Sequence, residues 1–200
     1  MRELTKRVAR GAAAVLILPV LVSFKLRSRL LGPDRALEGT TQALALWPGV
    51  SGQYLRRAFL AHAIAYCAPT ATIEFGTIFS QTGARIEGRA YVGPHCHIGL
   101  ADIGEDALIA AGVHIPSGAR THEFQSTATP IGNQEHHREL VRIGAGSWIG
   151  SAAIVMADVG RGTVVGAGAV VTRPLPAGVI AAGVPARVIG ERAAATDALA

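Results

Sequence analysis

Aliphatic residues recur through the second half of the chain at Ile86, Val92, Ile98, Ile103, Ile109 and Ile115, in steps of 6, 6, 5, 6 and 6. Small residues follow many of them, at Gly93, Gly99, Gly104 and Ala110. After an interruption the count resumes at Ile143, Ile149, Val155, Val159, Val165 and Val171, in steps of 6, 6, 4, 6 and 6. Six is not a helical period. A six-residue unit makes one short strand and a turn, and three units close a triangular coil with its aliphatic residues stacked inside. The pattern therefore predicts a parallel β-helix over residues 70–190, in which each coil covers the strand edges of its neighbour. The short steps at Ile98–Ile103 and Val155–Val159 read as turn deletions absorbed at a corner.

The N-terminal third follows a different pattern. Gly11 to Phe24 is an uncharged run of 14 residues between Lys6, Arg7 and Arg10 on one side and Lys25, Arg27 and Arg29 on the other. A membrane-crossing helix wants about 20 apolar residues, and Pro19 breaks this run. No small-residue cleavage site follows it, so residues 1–35 read as an uncleaved interfacial or re-entrant membrane anchor whose Arg and Lys meet lipid phosphates. Residues 36–69 read as an amphipathic helical segment broken at Pro48-Gly49, with Trp47 and Tyr54 suited to packing, to a membrane interface, or to both. Residues 191–200 form a tail.

Composition sharpens this picture. Half the residues are hydrophobic but only 5 % are aromatic, and there are 24 glycines, so the core is built from small and β-branched side chains. The net charge of +5 comes without an aromatic-interleaved basic motif, and no nucleic-acid partner is expected. Cys67 and Cys96 have neither metal-site nor disulfide-framework spacing.

The repeat is interrupted by a loop, Arg120 to Arg142, that holds His122, His136 and His137. Loops on a rigid scaffold are where sites are usually built. His122 stands where the coil is left and has the chemistry of a general base near neutral pH. His136 and His137 lie in a polar run and read as solvated. In His95-Cys96-His97 the count turns Cys96 inward and both histidines outward. His97 and His114 are 17 residues apart, one coil less the deleted residue, so they are expected to stack about 5 Å apart.

Trp148-Ile149-Gly150-Ser151, Gly166-Ala167-Gly168, Val171-Thr172-Arg173 and Ala181-Ala182-Gly183-Val184-Pro185-Ala186-Arg187-Val188-Ile189 make the chain resemble the hexapeptide-repeat acyltransferases, and in particular the coenzyme-A side of maltose and galactoside O-acetyltransferases. Leu46-Trp47-Pro48-Gly49 and Gly52-Gln53-Tyr54-Leu55-Arg56-Arg57 resemble a membrane-linked branch that modifies polysaccharides or glycolipids. The resemblance implies a left-handed parallel β-helix, a homotrimer with clefts between subunits, and an acetyl-CoA or other acyl-CoA co-substrate without a metal. His122 matches the family's catalytic histidine, and the amide of Ser151 its oxyanion donor. Trp148, Ala167, Gly168, Thr172, Arg173 and Arg187 fall on the donor side, and His95 is an acceptor contact or a competing base. The function implied is O-acyl transfer to a hydroxyl of a saccharide or lipid-linked glycan at the cytoplasmic face of a membrane. The alternatives are a zinc-dependent β-helix hydratase of the carbonic anhydrase kind, in which stacked histidines hold metal, a small-xenobiotic acetyltransferase, and a non-catalytic structural β-helix.

Overall fold

The aliphatic count becomes the interior of a left-handed parallel β-helix preceded by four helices. The structure, a computed structural model, describes residues 2–123 and 125–192. The side chain of Lys6 and the tail beyond Arg192 lie outside the described residues.

Every position in both runs of the count is at most 2 % exposed. Parallel registers stack these positions into ladders. On the first sheet Cys67, Ile86, Ile103 and Ile143 follow one another, continued by bridges to Val159 and Leu175. On the second sheet the ladder is Ile73, Val92, Ile109, Ile149, Val165 and Ala181. The third carries Phe79, Ile98 and Ile115, and farther along Val155 beside Val171. β-branched residues make up most of these ladders and suit the narrow interior, and Phe79 takes an inward position in the first coil. The first coil starts at Tyr66, inside the stretch read as helical.

The three corners differ. Where the first sheet turns into the second, Arg89, Asp106, Gly146, Gly162 and Gly178 all have positive φ. Where the second turns into the third, Gly76, His95, Gly112, Ala152 and Gly168 repeat the same conformation. Glycine adopts this turn without steric cost, which explains its recurrence. The third corner is irregular: both short steps, the Val171 to Leu175 step and the long loop all fall there. Side chains replace the missing turn bonds, with Leu100 N donating to Ser117 Oγ at 2.8 Å and Arg142 N to Asp158 Oδ1 at 2.8 Å.

The N-terminal helices are α1 (Arg2–Leu16), α2 (Leu18–Leu31), α3 (Pro33–Ala45) and α4 (Gly49–Ala63). The break at Pro48-Gly49 is where the sequence puts it, but α3 starts earlier than the helical text, after Gly32 at φ 86°. The helices close the first coil. Phe24 meets Phe59 edge to face at 5.3 Å, and Thr41 is hydrogen-bonded to both N and O of Phe79 at 3.1 Å. Arg56, 3 % exposed, donates to the carbonyls of Ile73, Leu44 and Trp47 at 3.0, 3.1 and 2.7 Å. One guanidinium thereby ties both helix ends to the coil.

Among the described residues no single helix is long and apolar enough to cross a membrane; α1 and α2 together reach that length but are bent by 47°. Ile17, Leu21 and Phe24 face the core, whereas Leu18, Val22, Leu26 and Leu30 are exposed.

Candidate active site

The loop leaves the irregular corner after Ile115 and is closed at its mouth by Glu139 N donating to Ser117 O at 2.8 Å. Farther out, Glu123 N donates to Glu135 O at 2.9 Å, and the Gln134 amide donates to the carbonyls of Ser126 and Thr129 at 2.9 and 2.7 Å. These bonds hold His122 on a closed, exposed loop. Its ring meets His136 edge to face, with centroids 4.4 Å apart. His137 Nε2 lies 3.5 Å from a Glu123 oxygen and 3.7 Å from one of Glu135. His136 and His137 are exposed, but they are also neighbours of the candidate base and of its adjacent carboxylate. A polar sequence run carries no signal for that pairing, which the loop creates by folding back at Glu123 and Glu135.

At the foot of the loop lies a cleft of about 350 Å³, lined among others by Arg120, Glu139, Met156, Asp158 and Thr172. Thr172 thus belongs to the same corner as the loop. Arg120, Glu139 and Asp158 are polar lining to which the sequence assigned no role; the four-residue step was the one visible signal for Asp158, and the start of the loop the signal for Arg120. Arg173 follows Thr172 and is exposed.

Ser151, Ala167 and Gly168 occupy a different corner, between the second and third sheets. There the turns form a ladder in which Gly112 N donates to Pro94 O, Ala152 N to Ala111 O, and Gly168 N to Ser151 O, each at 2.8 to 2.9 Å. Ser151 is exposed and its N–H has no partner among the described residues, a property shared by Ala111 and Ala167 at the equivalent points of adjacent coils. Such a donor is available to a developing oxyanion. Gly168 has φ 67° and open space where a Cβ would project, so the turn alone accounts for the glycine. Gly150 is the residue with a packing constraint: a Cβ there would lie 2.5 Å from Ala167 N.

His95 heads this ladder. It has φ 58°, and its ring lies over Gly76 and meets Phe75 edge to face at 5.3 Å. It therefore shares a corner with Ser151 rather than with His122. Trp148 stands in the outward row of the second sheet, between Leu108 and Val164, and is 52 % exposed. Arg187 is exposed on the closing antiparallel hairpin, opposite Ala182. A single chain thus distributes the predicted residues over two corners and one face.

His97 and His114 stack as the spacing requires, with ring centroids 5.4 Å apart and planes at 27°. Burial and, next, the His114 charge push the His97 imidazole below its ordinary range, opposed by Glu38. Above the unfolded value of about 6.5 both states are neutral; below it the unfolded chain takes up the proton first, so stability falls as pH drops through the folded value. The thermal midpoint is accordingly expected to fall as the pH is lowered below about 6.5, and less so in His97→Gln. Equal acid sensitivity in both proteins would remove this assignment.

Among the described residues no group of three or more His, Cys, Asp and Glu is arranged to hold a metal ion. Burial pushes the Cys67 thiol up to about 12 and raises Cys96, whose Sγ lies 3.1 Å from Ala110 O, so both cysteines are poor nucleophiles.

No protein-family profile matches the chain. It is similar to galactoside O-acetyltransferase of Escherichia coli, at 38 % identity over 93 residues, covering 44 % of this chain and 43 % of that protein. The bifunctional protein GlmU of Rubrobacter xylanophilus is 33 % identical over 116 residues, 58 % of this chain and 22 % of the relative. The chain therefore spans less than half the length of these curated relatives. Among solved structures, a galactoside acetyltransferase in complex with coenzyme A superposes with a TM-score of 0.60 at 25 % identity, over 79 % of this chain and 80 % of the other.

Proposed function

We propose that this chain is a hexapeptide-repeat acyltransferase, an acyl-CoA-dependent O-acyltransferase acting with acetyl-CoA on a hydroxyl of a saccharide or lipid-linked glycan. The observation that carries this reading is the likeness to the coenzyme A-bound galactoside acetyltransferase, which extends over 79 % of this chain. His122 accepts the proton of the acceptor hydroxyl as its oxygen attacks the thioester carbonyl. The Ser151 N–H donates to the oxygen that gains charge, and the protonated imidazole returns its proton to the departing thiolate. Ala167, Gly168 and Trp148 border the donor arm, while Thr172, Arg173 and Arg187 supply hydrogen bonds and charge to its phosphates. His95 is placed on the acceptor side. Acetyl-CoA turnover against a panel of sugars, glycolipids and small xenobiotics tests the reading; thiol release with no acceptor in the panel would defeat it.

The division of these residues between corners supports a homotrimer, in which the loop corner of one subunit meets the turn ladder of the next. Outward side chains support it too. The first sheet shows a polar row, Tyr66, Arg85, Asp102 and Arg142, while the second shows Tyr91, Leu108, Trp148, Val164 and Ile180. A contiguous apolar row on a β-face calls for a covering surface. Leu108→Glu is expected to shift the sedimentation coefficient from trimer to monomer with loss of turnover; a trimeric variant would disprove this interface.

The exposed row on α2 supports attachment to the cytoplasmic face of a membrane, in the plane of the interface rather than across it. Removing residues 1–35 would also remove the buried Ile17, Leu21 and Phe24, so the sharper test is Leu18→Glu/Val22→Glu/Leu26→Glu, which alters only exposed positions. This triple variant is expected to leave the membrane pellet for the soluble fraction with its thermal midpoint retained. Undiminished pelleting would refute the attachment.

A further inference from the structure

Between α1, α4 and the first coil lies a pocket of about 400 Å³ lined by Arg10, Gln53, Tyr54, Arg57, Thr70 and Arg89, among others. It belongs to the corner between the first and second sheets, away from both the loop corner and the turn ladder. Three guanidinium groups converge on it, and they are not equivalent. Arg89 is committed to protein carboxylates: its Nε and Nη2 each lie 2.7 Å from Asp106, and Nη2 lies 3.0 Å from Glu105. Arg10 and Arg57 have no carboxylate partner among the described residues. The Nε of Arg10 is buried without any hydrogen-bond acceptor. Arg57 lies over the Tyr54 ring at 4.8 Å, and burial followed by the Arg10 charge lowers its pKa. Gln53 is turned to Glu74, to which its amide donates at 2.8 Å. Two like charges held together beside an unsatisfied donor call for an anion, and the fork geometry of arginine suits phosphate oxygens.

A second feature specifies what carries the anion. Tyr54 also lines an adjoining groove of about 260 Å³ whose other walls are Ala9, Ala12, Ala13, Leu16, Trp47, Ser51 and Leu55. Arg10 and this groove lie on the same helix, α1, which leads into the exposed apolar row of α2. A cationic pocket thus opens beside an apolar groove, with one aromatic side chain forming the wall between them. A ligand that fills both has a phosphate at one end and a hydrocarbon chain at the other.

We propose that Arg10 and Arg57 hold the phosphate of a membrane lipid bearing a phosphomonoester headgroup, with its hydrocarbon chain along the groove beside Tyr54 and Leu16. This inference rests on the membrane-surface reading above and adds to it a headgroup preference that an apolar face alone does not confer. The site is distinct from the acyl-transfer residues, so His122→Ala retains it.

The test is flotation of the full chain with three sets of vesicles: phosphatidylcholine alone, phosphatidylcholine with phosphatidylglycerol, and phosphatidylcholine with phosphatidic acid. Binding to the first set reports the apolar face, and its loss would count against the membrane reading. Preference for phosphatidic acid over phosphatidylglycerol, by about tenfold in apparent affinity, reports the pocket. Arg10→Gln and Arg57→Gln, made singly, are expected to abolish that preference while leaving binding to the other two sets unchanged. Equal binding to both anionic vesicles would overturn the proposal, because general charge attraction would then suffice. Complete displacement from phosphatidic acid vesicles by millimolar inorganic phosphate would overturn it as well, since the pocket would then serve a free anion. The comparison among vesicles uses the wild-type protein, so it stands even where a substitution disturbs folding.

Discussion

His122→Ala is expected to lower the acetyl-transfer rate by about 10²- to 10⁴-fold, the usual contribution of a positioned general base. Thermal stability should be unchanged, because His122 is exposed on its loop and its described neighbour is the ring of His136. The loss should appear in kcat rather than in the KM for acetyl-CoA, since the donor-side residues occupy other turns of the β-helix. His136→Ala provides the control for loop structure: it removes the edge-to-face contact at 4.4 Å but leaves the imidazole that takes the proton. A smaller loss in His136→Ala than in His122→Ala separates positioning from proton transfer. Acetyl transfer at near wild-type rate in His122→Ala would sink the role of this histidine.

Ile109→Ala is expected to lower the unfolding free energy by about 2–5 kcal/mol, the range for truncating a buried aliphatic side chain to Ala. Ile109 is fully buried and in register between Val92 and Ile149, in the middle of the second ladder. Its neighbours are the backbones and β-branched side chains of adjacent coils, which cannot collapse into the gap without breaking interstrand hydrogen bonds. Urea denaturation checks this, and a shift below about 1 kcal/mol would mean that the interior relaxes more freely than such packing permits. Unlike His122→Ala, this substitution should affect activity only through loss of folded protein.

The coils were legible because their physics is local and periodic. Each six-residue unit must turn one aliphatic side chain inward, so the count alone placed Ile86 through Val171 in the core and put His97 beside His114. The first coil escaped the count because Cys67 and Phe79 stand where the others carry Ile or Val, and seven residues rather than six separate Phe79 from Ile86. The position of His122 was legible as the edge of an interruption. Its contact with His136 was not, because that contact depends on how the loop returns at Glu123 and Glu135. The inward face of α2, carried by Ile17, Leu21 and Phe24 with Ile17 just before its start, was likewise hidden in a uniformly apolar run. Nothing in that run distinguishes residues that meet Phe59 from those that meet solvent.

By itself the sequence determined the repeat, the identity of the interior residues and the place of the loop, since each follows from side-chain type at a fixed spacing. Only the tertiary structure decided that all the irregular steps share one corner, and that Ser151, Gly168 and His95 share another. It also decided that Arg10 and Arg57, 47 positions apart, converge on one pocket. The reason is that a corner or a pocket is defined by which coils and helices are stacked together, and stacking is set by packing across the whole chain rather than by any short run of residues.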